Sequence, residues 1–234
     1  MSCFQFKQFK IEQAHAAMKV STDGILLGAW ASIGSAKRAL DIGTGTGLLA
    51  LMLKQRQPEL HITAVELEAG AIQDAEVNFA NSGWQDLLLV PSAVQMLQVD
   101  KPFDLVISNP PYFNDSLKSP ALARTTARHT DSLSFSELIE AFVAHSHSLS
   151  RLALILPCHE AQIFINRAAE VGLSLKRHCL VHSKPDKPAS RSLMEFAWVA
   201  GVMMQESLTI HTETGQYSDE FIALCKAFYL KMSD

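Results

Sequence analysis

"ALDIGTGTGLLAL", residues 39–51, places Gly43, Gly45 and Gly47 at alternate positions between a short apolar run and a leucine-rich segment. The run 38–43 reads as a strand and Leu48 to Gln57 as a helix, so the glycines fall on the turn between them. There they let the backbone bend sharply and approach a ligand closely, while the start of the helix offers free N–H groups. Outward from this turn the pattern repeats. Residues 61–67, 87–90, 103–108 and 152–156 are continuous apolar runs, as parallel strands covered on both faces require. Helical patterns over Ala69–Ser82, Ser134–Ser150 and His159–Val171 separate them, and Ser134 and Glu137 form a capping-box signature. The order predicts an α/β fold: a doubly wound, mostly parallel sheet of seven strands whose ligands lie outside the carboxyl ends of the strands.

After Val171 two further strand-like stretches, "LSLKRHCLVHS" and "SLMEFAWVAG", predict an antiparallel addition at one edge, and Ser218 caps a last helix. Residues 1–37, with Phe4, Phe6, Phe9 and Ile11, are too few for a domain and read as a flap or lid on a domain spanning 38–234. The chain has 234 residues, of which 48% are hydrophobic, enough to bury one full core. No apolar run approaches the roughly 20 residues of a membrane span, and the first residues lack a signal-peptide pattern. A soluble cytoplasmic protein is expected, with no membrane partner and as a monomer. Cys3, Cys158, Cys179 and Cys225 are scattered, which suggests neither a disulfide framework nor a metal site.

The net charge of −4 excludes a protein that coats nucleic acid by bulk electrostatics. Its distribution leaves room for a local basic face. Between Leu173 and Leu193, Lys176, Arg177, Lys184, Lys187 and Arg191 stand against Asp186 alone.

Two chemistries suit the glycine turn. Gly45-x-Gly47-x-x-Ala50, with Glu66 ending the second strand, can be written as a dinucleotide fingerprint. Asp41-x-Gly43-x-Gly45-x-Gly47 is instead an acid-led pattern: a carboxylate there repels a pyrophosphate and suits a ligand carrying sulfonium and ammonium groups. In either case Glu66 lies where ribose hydroxyls would be. The fourth strand then empties into Asn109-Pro110-Pro111-Tyr112. The two prolines stiffen the turn, leaving the Asn109 side-chain oxygen and the Pro110 carbonyl as a pair of acceptors for a planar –NH2. Such a pair can turn the lone pair of an exocyclic amine toward an incoming methyl and stabilise the charge that builds on nitrogen. Tyr112 is placed to stack on a base and Phe113 to help form its pocket.

Together the acid-led glycine turn and Asn-Pro-Pro-Tyr resemble the N6-adenine and N5-glutamine methyltransferases of the Rossmann-like class I superfamily. The flanks "FKQFKIEQAHAAMKVSTDGILLGAW", "DIGTGTGLLALML", "SNPPYF" and "YSDEFIALCKAFYL" look like the bacterial tRNA adenine-N6 methyltransferases that modify adenosine 37 of valine tRNA. The resemblance covers nearly the whole chain, loosely from about Leu173 to His211. It implies S-adenosylmethionine as methyl donor, S-adenosylhomocysteine as product and tRNA as partner. It implies that Asp41, Gly43, Gly45, Gly47 and Glu66 hold the donor, and that Asn109 to Tyr112 hold the target amine. Thr22 and Asp23 would close over the donor's methionine end, although Asp23 serves equally as a helix cap. Where many such enzymes carry an acid after the third strand, this chain has Ser92-Ala93. Arg124, Arg128 and His129, with Lys184, Lys187 and Arg191, are candidates for a phosphate track.

Three alternatives stand beside this reading. A release-factor glutamine methyltransferase fits the same two acceptors but usually carries a longer helical front domain. An NAD-dependent oxidoreductase and a non-catalytic RNA-binding protein fit the glycine turn and the basic face respectively.

Overall fold

The computed structural model describes residues 3–111 and 133–232. It opens with a small antiparallel hairpin, β1 (Cys3–Gln5) and β2 (Lys10–Glu12), followed by α1 (Thr22–Trp30). The alternating core comprises β3 (Arg38–Ile42), α2 (Leu48–Arg56), β4 (His61–Glu66), α3 (Ala69–Ser82) and β5 (Leu87–Pro91). A short 3-10 turn (Val94–Met96) leads to β6 (Phe103–Ser108). Then come α4 (Phe135–His145), β7 (Ser146–Pro157), α5 (Cys158–Glu170), β8 (Ser174–His182), β9 (Ala189–Ala197), β10 (Met204–Thr209) and α6 (Asp219–Cys225). Among the described residues no helix is long and apolar enough to cross a membrane.

Among the described residues the main sheet has eight strands in the order β10-β8-β9-β7-β6-β3-β4-β5, which corrects the expected seven. The additional strand is β10, "MQESLT". It runs parallel to β8 at the sheet margin, and Leu208 is its buried residue, so it lacks the continuous apolar run by which strands are recognised. The antiparallel strand is not at the edge either: β9 lies inside, antiparallel to both β7 and β8. A third correction concerns α4, which stops at His145 and passes directly into β7 rather than continuing to Ser150. Here Ser150 Oγ donates to the Phe103 carbonyl at 2.6 Å and the His147 ring meets Asp104 at 2.9 Å, contacts with β6 that only an extended segment can make.

Helices cover both faces. One core joins the hairpin, α1, α2 and α6 to the sheet through residues such as Phe6, Ile25, Leu51 and Phe221; the other joins α4 and α5 through Phe142 and Phe164. The α2 helix is buried from Leu48 to Lys54, as a helix apolar on every side must be. Its one charge there, Lys54, donates from Nζ to the Pro58 and Leu60 carbonyls. The α1 helix lies very close to α2. A Cβ on Gly28 would sit 2.6 Å from the Met52 sulfur and one on Gly24 would sit 2.9 Å from Leu48 Cδ2. At its far end α1 is anchored through Trp30, whose Nε1 donates to Glu206 of β10 at 2.8 Å and whose ring lies 4.1 Å from the Arg177 guanidinium. Arg177 in turn makes paired bonds of 2.9 and 3.1 Å to Glu206, so the polar edge strand serves to fix α1.

β3 and β6 are adjacent and parallel, and the chain winds away from them in opposite directions. Their carboxyl ends therefore flank the switch point of the sheet, where an open α/β fold places its ligand.

Candidate active site

The glycine turn leaves β3 at this point. Gly43 and Thr44 donate their N–H groups to the Val65 carbonyl at 2.9 and 3.1 Å, folding the turn against β4. Gly45 has φ +58°, and a Cβ there would meet no atom within 4 Å, so its bare backbone faces open space in the cleft. Gly47 does a different job. With φ +84°, its missing Cβ would collide with Phe79 Cε1, so glycine is required for α3 to pack against the turn.

The cleft has a volume of about 340 Å³, within the range of small-molecule sites. Gly43, Gly45, Glu66, Asn109 and Pro111 line it, as do Ser21 and Gly24 at the start of α1. Glu66 is held by backbone: Oε2 accepts from Gly45 N–H at 2.8 Å, and Oε1 from Leu67 and Glu68 at 2.8 and 2.9 Å. Its carboxylate is thereby oriented, with a lone pair on Oε2 left for a ligand hydroxyl.

Asp41 stands behind the turn rather than in its surface. It is fully buried, Oδ2 accepts from the Thr44 hydroxyl at 2.5 Å, and Oδ1 has no hydrogen-bond partner. Burial pushes its pKa up to about 7, outweighing the Thr44 hydroxyl, and the Glu66 charge adds to the rise.

Asn109 leaves β6 with its Oδ1 buried and, among the described residues, unpaired. Ser108 Oγ donates to the Ile42 carbonyl at 2.8 Å, fixing the end of β6 against β3. The start of α1 lies alongside: a Cβ on Gly24 would be 3.8 Å from Asn109 Nδ2. Pro110 is buried and Pro111 exposed. Tyr112, Phe113, Arg124, Arg128 and His129 lie outside the described residues.

The α1 helix is capped by Ser21, which accepts from Gly24 N–H at 3.2 Å. Thr22 and Asp23 occupy its first turn away from the lining, and Asp23 Oδ2 accepts from Arg191 Nε at 2.7 Å. Arg191 pairs in register with Pro157 at the carboxyl end of β7, so the loop carrying Lys184 and Lys187 lies on the same edge of the sheet as Asn109. Lys187 is exposed and 3.5 Å from Asp186.

The roof of the cleft, Ala16 to Ser21, is held by side chains that sequence reading missed. Asp74 on α3 accepts from the N–H groups of Ala14, His15 and Ala16 at 3.3, 2.9 and 2.8 Å and from the His15 ring at 2.9 Å. Burial works to raise its pKa, but the Ala16 N–H and the His15 ring and N–H outweigh it and hold the carboxyl below its ordinary value. One turn on, Asn78 accepts from Glu12 N–H at 2.7 Å and donates to the Glu12 and Thr46 carbonyls at 2.9 and 2.8 Å, tying the roof to the glycine turn. Gln13 Oε1 accepts from Val20 N–H at 2.7 Å and closes the loop on itself. Buried polar residues at helical spacing, Asp74 and Asn78, are the signal that could have revealed this. Asp74→Ala is expected to cost about 2 kcal/mol by denaturant unfolding and to weaken ligand binding roughly tenfold by calorimetry, since it strips an acceptor from several backbone donors at once. Unchanged affinity would separate the roof from binding. Among the described residues, no group of three or more His, Cys, Asp or Glu is placed to share a metal ion.

Comparisons with known proteins agree with this geometry. Residues 21–133 match the model of the methyltransferase small domain. A predicted O-methyltransferase of Agrobacterium tumefaciens superposes with a TM-score of 0.66 at 19% identity, covering 88% of this chain and 96% of that one. A ribosomal protein L11 methylase of Lactobacillus delbrueckii gives 0.58 at 16%, covering 80% and 83%. These share the fold. The sequence relatives are much nearer. A tRNA1(Val) (adenine(37)-N6)-methyltransferase of Pseudoalteromonas translucida is 53% identical over 99% of this chain and 100% of its own length. Its namesakes from Phocaeicola vulgatus and Vibrio parahaemolyticus are 42% and 43% identical, each over 98% of this chain and over 98% and 96% of their own lengths. By this full-length similarity, the chain belongs to the tRNA1(Val) (adenine(37)-N6)-methyltransferase family.

Proposed function

We propose that the protein transfers the methyl group of S-adenosylmethionine to N6 of adenosine 37 in tRNA1(Val), releasing S-adenosylhomocysteine. The observation that carries this reading is the buried, unpaired Oδ1 of Asn109 on the wall of a glycine-floored cleft. An orphaned acceptor of this kind calls for a donor from the substrate. The residues fit the methyl donor: bare glycine backbone at Gly43 and Gly45, an oriented carboxylate at Glu66 and a buried acid behind the turn at Asp41, whose ionised form a cationic ligand favours. When bound, the donor supplies a methyl group made electrophilic by its sulfonium.

The chain's own residues do the rest by placement. Asn109 Oδ1 and the Pro110 carbonyl accept the two hydrogens of the adenine amine, so that its lone pair faces the methyl. As positive charge builds on nitrogen these acceptors bind it more tightly than the neutral amine, which lowers the barrier. The cationic product then gives its proton to the asparagine, a carbonyl or water. Residues 1–37 act as a lid on the 38–234 domain, a role supported by the Ala16–Ser21 roof. Thr22 and Asp23 support it from the first turn of α1. Lys184, Lys187 and Arg191 contribute phosphate contacts on the catalytic edge, and a base in an anticodon loop costs less to present than one in a duplex.

Labelled methyl transfer to bulk tRNA, protein and DNA in parallel, followed by nucleoside digestion, tests this. The expected product is N6-methyladenosine from tRNA alone. Label in protein glutamine would move the assignment to the release-factor reaction, which the full-length relatives do not favour.

A further inference from the structure

Along the catalytic edge the strand ends follow a fixed order: Asn109 after β6, Gly43 and Gly45 after β3, Glu66 closing β4, and Ser92 to Gln95 after β5. With the target amine at Asn109 and ribose hydroxyls at Glu66, the donor's own adenine falls at the β5 end. The apolar Val94 and Leu133 line the cleft, as do the polar Ser92, Gln95 and Glu137. The Ser92 hydroxyl donates to the Ala93 carbonyl at 3.3 Å.

Gln95 and Glu137 come from different elements and meet at this end of the cleft. Gln95 Nε2 donates to Glu137 Oε1 at 3.2 Å. Glu137 is itself held: Oε2 accepts from Ser134 N–H at 2.7 Å, while its own N–H donates to Ser134 Oγ at 3.2 Å. We infer that Glu137 and Gln95 read the purine edge of the methyl donor, Glu137 accepting from the 6-amino group and the second N–H of Gln95 reaching a ring nitrogen. This rests on the cleft being the donor site. A charged acceptor bonds an amino group about twice as strongly as a neutral one, and a 6-oxo group in the same place would leave two acceptors facing each other. Gln95 is exposed, so water tempers the penalty and the discrimination is expected to be moderate.

The test is calorimetric titration of the full chain with S-adenosylhomocysteine and with its 6-oxo analogue, S-inosylhomocysteine. The wild-type protein is expected to prefer the amino ligand by about 10- to 100-fold. Glu137→Gln should reduce that preference to within about threefold, because a carboxamide donates to a 6-oxo group as readily as it accepts from an amine. Glutamine at this position preserves the capping box, so the melting transition should not move. Gln95→Ala, on an exposed turn, leaves the cap untouched and should also narrow the preference. If both variants discriminate as the wild type does, the inference is wrong. If the wild type fails to bind S-adenosylhomocysteine at all, the donor-site reading is wrong instead.

Discussion

Asn109→Ala is expected to slow methyl transfer by about 10²- to 10³-fold while leaving affinity for S-adenosylhomocysteine within about threefold. The size follows from what the side chain does. Among the described residues Asn109 Oδ1 is buried without a protein partner, so its desolvation has already been incurred on folding and is offset when an amine arrives. Because the bond strengthens as the nitrogen becomes cationic, its loss falls on turnover rather than on binding. The scaffold should survive the change. Pro110 still restricts the backbone, and the Ser108 bond to the Ile42 carbonyl that pins β6 to β3 does not involve Asn109. Single-turnover rates with saturating tRNA, measured beside calorimetry of the donor product, separate the two effects. Equal losses in rate and in donor affinity would make Asn109 a wall of the donor site instead of a holder of the amine.

The parts of this site legible in the sequence are those in which one residue type meets a local backbone demand. Glycines at 43, 45 and 47 announce a turn because other residues cannot take those dihedral angles cheaply, and Gly47 has φ +84°. Apolar runs announce parallel strands, and Ser134 with Glu137 announces the start of α4, where the capping box is present. What stayed hidden depends on residues far apart in the chain. Asp74 and Asn78 look like ordinary polar positions on a helix, yet their partners lie about sixty residues earlier and shape the roof. β10 carries "MQESLT", whose pairing with β8 and whose Glu206 contacts exist only once the sheet is assembled. The end of α4 was hidden for the same reason: the serines and histidines from His145 to Ser150 do not themselves choose helix or strand, and bonds to β6 decide for strand. Asp41 was legible as a motif residue but not as a titrating one, because its burial is a property of the fold.

That burial yields the second large effect. Relative to Asp41→Asn, the ligand-free wild-type protein is expected to lose about 3 kcal/mol of unfolding free energy between pH 5 and pH 8. The native carboxyl titrates at about 7 against an ordinary 3.8, so between these values the folded state holds a proton that the unfolded state has released. Stability is therefore greatest at or below the unfolded value, falls by about 1.4 kcal/mol per pH unit through the interval, and levels off once pH passes about 7. Roughly two pH units of that slope lie inside the measured range. Asparagine mimics the protonated acid, since its side-chain oxygen can still accept from the Thr44 hydroxyl, and so removes the slope without removing that bond. Binding reverses the preference. A ligand bearing an ammonium group favours the carboxylate, so wild-type affinity for S-adenosylhomocysteine should rise from pH 6 to pH 8 and binding near pH 6.5 should release a proton. Asp41→Asn should bind more weakly, with neither the rise nor the release. Denaturant unfolding across the pH series gives the first comparison, and calorimetry in buffers of different ionisation enthalpy gives the second. Parallel stability curves for the two proteins would mean that Asp41 is ionised throughout in the native state, and its place behind the glycine turn would then be that of a fixed charge.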